Sequence, residues 1–306
     1  MGAHMARSTP AIVVIDVIAL FIVAPMLFSP ALGADKAVPD LAGNWARATF
    51  AIEPPASGSG PLRNLARRGD EKADADPAAV SYMNRMLKPE AAELVRKRFE
   101  ATRAGKPPPT PSSSCWPMVA PYIYRVQEMQ LLQSRDEVLI LYMQDHEVRR
   151  VRLNGTHPAR VTPSWHGDSV GHYEGDTLVV DTVSVKVGPV SIIDPAGSPY
   201  SEALHVVERY RLIDHEAAKE AAARNIRANG APGTQQAAAI DPNDTGKGLQ
   251  VQFTAEDKNV FNMPWSGIAT YGRADGIWVE NVCAENPYEY YNARDTALPR
   301  ADKPDF

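Results

Sequence analysis

Four of the seven histidines fall between Asp145 and Asp181, in a run that reads DHEVRRVRLNGTHPARVTPSWHGDSVGHYEGDTLVVD. Ionisable residues packed this densely among apolar strands need partners, because burying them unpaired is costly. His146, His166, His172 and, further on, His205 can exchange a proton near neutral pH. A carboxylate beside an imidazole holds its tautomer, and Asp145, Glu147, Glu202 and Glu208 can serve. The acid–base reading takes His146 as general base or acid, with Asp145 or Glu202 orienting it. Arg150 and Arg209 then stabilise developing negative charge, and His172 and His205 stand in reserve. Glu202 and His205 lie close in sequence at the mouth of a strand, where a site is accessible.

Two other readings use the same residues. His166 and His172 with His146 or His205 would give a metal three nitrogen ligands, but no HExxH-type spacing supports this. The structural reading pairs Glu208 with Arg150 or Asp145 with Arg149 to hold the sheet closed. For any single histidine the structural reading is the stronger one. No cofactor and no metal is expected. Gly167-Asp168-Ser169-Val170-Gly171 has the G-x-S-x-G form of a nucleophile elbow. That elbow requires a strand–turn–helix, and here a β-hairpin through Glu174-Gly175-Asp176 follows.

The elements that must position these groups are mostly strands. Alternating apolar and polar residues predict strands over 122–133, 137–153, 169–173, 177–185, 204–213, 249–254, 259–271 and 276–283. In the second of these, Val138, Ile140, Tyr142, Gln144, His146 and Val148 share one face. Residues 76–105 read as a helix, with Pro89 in a first turn and Leu94, Phe99 and Ala101 as its apolar stripe. Residues 215–230 read as a short Ala-rich helix opening a flexible excursion that extends to 248. The fold class expected is mainly β: a single antiparallel lipocalin-like β-barrel with one or two peripheral helices. Inward aromatics such as Tyr124, Tyr142, Trp165, Trp265 and Trp278 would line a cavity suited to a flat or lipid-like ligand.

The 306 residues carry a net charge of −5, which disfavours nucleic acid as a partner. Residues 1–33 read as a vector remnant followed by a signal peptide, its apolar run at 11–28 and cleavage before Ala34. If uncleaved, the same run places the body near a membrane. In either case the address is periplasmic or secreted. Residues 34–290 form the single β-barrel domain, with a helical insert near 76–105 and the excursion near 215–248, and 291–306 are a polar tail. The two cysteines, Cys115 and Cys283, either form a disulfide, worth on the order of 4–5 kcal/mol by the chain-entropy model, or remain unrelated buried thiols.

Asp40-Leu41-x-Gly43-x-Trp45 resembles the first-strand signature of lipocalin-like barrels, in which the Trp plugs the barrel floor. Three linked motifs are similar to a family of exported bacterial proteins of uncharacterised activity. They are VLILY-x-x-DH-x-VRR-(V/I) at 138–151, W-x-G-x-S-x-G-x-(W/Y)-EGDTLVVDT at 165–182 and D-x-x-G-x-P-x-SEAL-x-x-x-ER at 194–209. The resemblance extends to Ala104-Gly105-Lys106-Pro107, Cys115 and Val282-Cys283-x-Glu285-Asn286, and fails over 215–248. It implies a lipocalin-like or calycin-like barrel and no particular chemistry. The function expected is a cofactor-independent lyase, isomerase or cyclase acting by proton transfer on a small hydrophobic or aromatic molecule. The alternative is a lipocalin-like binding protein for a hydrophobic ligand.

Overall fold

A computed structural model describes residues 38–47, 52–57, 60, 86–125, 128–229, 240–274 and 281–283. The signal peptide expected within 1–33, Trp278, most of the strand expected at 276–283 and the tail expected at 291–306 lie outside the described residues.

Nine strands close into a barrel in sequence order. They are β1 Gly43–Ala46, β2 Glu128–Gln133, β3 Glu137–Tyr142, β4 Val148–Leu153, β5 Asp168–Glu174, β6 Thr177–Val183, β7 His205–Ile213, β8 Gly248–Glu256 and β9 Trp265–Arg273. The expected barrel is present, with one refinement. The ladders are antiparallel except for β4 with β5, which run parallel, Val151 opposite Ser169. The β5–β6 hairpin turns at Gly175, whose φ of 65° is where a residue lacking Cβ fits without strain.

Alternation along each strand sends one row of side chains inward. Val138, Ile140 and Tyr142 of β3, Val206 and Tyr210 of β7, and Leu249, Val251 and Phe253 of β8 all belong to one buried cluster. Burying each such apolar side chain stabilises the fold by about 1.5–3 kcal/mol. The β9–β1 seam closes on Trp45. Its indole Nε1 donates to the Leu41 carbonyl at 3.0 Å, and the Arg273 guanidinium lies 3.8 Å over its ring.

The strand expected over 137–153 is two strands. Between them, Asp145 and His146 take positive φ values of 53° and 50°, a region that Asp and His enter more readily than most residues. The turn resets the alternation. Val148 is exposed and Arg149 points inward, so His146 does not share a sheet face with Tyr142.

The described helix α1 is Pro89–Arg103. It buries Ala91, Val95 and Phe99 in steps of four, while Leu94 is half exposed. The expected stripe through Leu94 and Ala101 is therefore rotated. Helix α2, His215–Asn229, lies on the outer wall against β8 and β9. It comes so close that a Cβ on Gly248 would meet Ala218 Cβ at 2.4 Å. Cys115 and Cys283 form a disulfide across 168 positions.

Candidate active site at the barrel end

An ionic cluster crosses the apolar interior. Glu208 of β7 is fully buried. Arg149 of β4 grips it with two guanidinium nitrogens, Nη1 to Oε1 at 2.9 Å and Nη2 to Oε2. The Tyr210 hydroxyl donates to Oε1 at 3.0 Å, and the Tyr124 hydroxyl donates to the same atom. Arg149 also donates to Ser169 Oγ at 3.1 Å and Thr182 Oγ1 at 2.6 Å. Burial pushes the Glu208 carboxyl above the ordinary range, with the Tyr210 hydrogen bond pulling the other way. Burial likewise pushes the Tyr210 hydroxyl up, and the Glu208 charge adds to it. Ser169 is thus committed to Arg149 and Thr182, which leaves no place for a nucleophile elbow.

Tyr142, at the inner end of β3, links this cluster to a second one. Its hydroxyl is pushed up by burial, drawn down by Arg149 and raised again by Glu147. The His166 ring stacks on the Tyr142 ring at 5.8 Å and 26°. His166 Nε2 stands 2.9 Å from Glu147 Oε2, an ion-pair contact whose side chains are only 15% and 8% exposed. The contact lacks hydrogen-bond alignment. Both Glu147 oxygens and His166 Nδ1 are shielded from solvent with no hydrogen-bond partner among the described residues. Buried polar atoms are nearly always satisfied, so three in one spot require an explanation. Glu147 is placed by the turn before β4, and His166 by the end of the 154–167 connection. Trp165, the neighbour of His166 in sequence, packs against Trp116 at 5.0 Å, and Lys186 Nζ lies 4.9 Å over the Trp165 ring.

The residues expected to form the site lie at several places, and of them His172 and Arg209 meet at a common partner, Glu174. His146 is exposed. Asp145 accepts from the Cys283 amide at 2.6 Å and from Gln144 Nε2 at 2.9 Å. Glu202 is exposed. Arg150 points outward to Glu137, and Arg209 to Glu174. His172 also reaches Glu174, at 3.1 Å, and His205 lies between Asp181 and Glu256. The expected Glu208–Arg150 and Asp145–Arg149 pairs are replaced by Glu208–Arg149, because the turn at 145–146 shifts which arginine faces inward. Among the described residues no three histidines, cysteines or carboxylates are arranged to hold a metal ion. Sequence reasoning weighed His166 and Glu147 but did not pair them. It placed Tyr124 among the inward aromatics without joining it to Glu208, and it did not single out Lys186, which lies just past the end of β6.

Within the described barrel the inward side chains fill the lumen. Trp45, Met129, Ile140, Tyr142, Val251 and Tyr271 are at most 1% exposed, so room for a ligand lies at an end or outside the wall. Outside, a cleft of about 340 Å³ runs between α2, residues 240–246 and β9, bordered by Lys219, Asp244 and Thr270. No helix among the described residues is long and apolar enough to cross a membrane. No family model, curated protein or solved structure matches the chain.

Proposed function

We propose that the protein is an exported, cofactor-independent enzyme that moves a proton on a small hydrophobic or aromatic molecule, in the manner of a lyase, isomerase or cyclase. The observation that supports this reading is the shielded Glu147–His166 pair with unfilled hydrogen-bonding capacity. Glu147 lies beside Nε2, and Nδ1, without a hydrogen-bond partner among the described residues, is the nitrogen left to take a substrate proton. The Tyr142 ring stacked on His166 suits a flat apolar substrate. A second reading, binding without chemistry, draws support from the cleft under α2, whose size falls in the range of small-molecule sites.

The test is solvent exchange. The purified protein is incubated in D2O with a panel of cyclic and aryl ketones, and deuterium uptake is read by mass spectrometry. Glu147→Gln and His166→Asn should each lower the exchange rate by about 10²–10⁴-fold, with circular dichroism unchanged. Equal exchange in wild type and both variants would rule this pair out as the proton carrier.

A further inference from the structure

On the outer wall, near the start of β5, four charged side chains and two imidazoles touch in series. Arg152 Nη2 of β4 donates to Asp168 Oδ1 at 2.8 Å and Oδ2 at 2.7 Å. Asp168 Oδ2 is 2.6 Å from His157 Nδ1. His157 Nε2 is 3.1 Å from Asp181 Oδ1 of β6. His205 Nε2 of β7 reaches that same oxygen at 3.1 Å, and His205 Nδ1 is 2.7 Å from Glu256 Oε1 of β8. The two imidazoles thus meet carboxylates of β5, β6 and β8, and Arg152 of β4 backs the first of these.

A neutral imidazole carries one N–H. Each of these rings has a carboxylate oxygen at both nitrogens. In either neutral tautomer, one nitrogen lone pair therefore points at a carboxylate oxygen, and only the imidazolium can donate in both directions. The charge balance agrees. Three carboxylates face one guanidinium, so two ring protons bring the network to neutrality.

We propose that His157 and His205 form a proton-operated clasp that holds the 154–167 connection, and with it His166, at the barrel end. The coupling to His166 rests on the reading of Glu147–His166 as the reacting pair. Asp168 follows His166 by two positions. Gly167 between them has a φ of +67°, and a Cβ there would meet the Val183 carbonyl at 2.5 Å. This tight link leaves little slack to absorb a movement of Asp168. Burial pulls the His205 ring down, but hydrogen bonds to Glu256 and Asp181 outweigh it, and the net shift is upward. For His205, a raised folded value means that its part of the clasp is fully made below the unfolded imidazole's pKa of about 6.5. It is lost as pH rises through the folded value.

Ring-nitrogen NMR shifts of His157, His166 and His205 and thermal midpoints should be recorded between about pH 5 and 9. The proteins are wild type, Asp181→Asn, and the His157→Gln/His205→Gln double variant. Both clasp rings should read as imidazolium at the acid end, with the His205 midpoint above that of free histidine and lowered in Asp181→Asn. The wild-type thermal midpoint should fall with rising pH more steeply than that of the double variant. His166 shifts should follow the clasp titration. A His205 ring that titrates as free histidine, parallel stability profiles, or His166 shifts indifferent to the clasp would each overturn the proposal. So would a rise in the wild-type midpoint at alkaline pH on adding zinc, since a cation would then be replacing the protons. None of these readouts uses turnover, so they stand or fall separately from the acid–base reading.

Discussion

Arg149 and Arg150 are adjacent and each holds a glutamate, yet they occupy opposite electrostatic worlds. Arg149 is 2% exposed and its partner Glu208 is wholly buried. Arg150 is 67% exposed and meets Glu137 at the surface. Inside, charge is stripped of water, so the pair holds only because Tyr124, Tyr210, Ser169 and Thr182 complete its hydrogen bonds. Outside, water supplies the same service to each partner alone, and pairing adds little. The lesson extends to the histidines. His166, shielded against Tyr142, has few alternatives to Glu147. His172, half exposed beside Glu174, has bulk solvent.

The contrast can be broken at its strong end first. Arg149→Met should cost about 3–5 kcal/mol, because it strands Glu208 in the interior. Urea denaturation would show this as a large drop in midpoint, and Arg149→Met with Glu208→Leu should recover part of it. A double variant no better than the single one would mean that the tyrosine hydroxyls, not the stranded charge, set the cost. Cys115→Ser/Cys283→Ser tests a covalent tie at the barrel edge. Removing a native disulfide costs about 2–5 kcal/mol, read by thermal melting. The Cys283 amide holds Asp145, two residues from Glu147, so ketone exchange should fall beyond what the lost stability explains. At the weak end, Arg150→Ala should change stability by no more than about 1 kcal/mol. A larger loss in the same urea titration would erase the distinction between the two arginines.

What the sequence made readable was local. The 174–176 turn, the alternation of β7 and the Ala-rich α2 all follow from periodicity and turn chemistry within a few residues. The break at Asp145–His146 was hidden, because Val138 to Val151 alternates well enough to pass for one long strand and nothing apolar is lost at the turn. That single break put Arg149 inside in place of Arg150 and took His146 off the sheet. Partners that meet across closure, such as Glu208 with Tyr124 or His157 with Asp181, are 84 and 24 positions apart. Neither pair leaves a periodic trace in the chain. The disulfide was visible only as a pair of cysteines, and whether they join depends on the fold.

A ring of nine cannot alternate up and down all the way round; an odd circuit must contain at least one step where neighbours point the same way. Here that step is β4 to β5. It obliges the chain to leave one rim and travel back along the outside to the other before it can re-enter the sheet. The returning traveller is residues 154–167, and it brings His157, Trp165 and His166 with it. An even-numbered relative built only of hairpins would have no such return path to deliver an imidazole to Glu147.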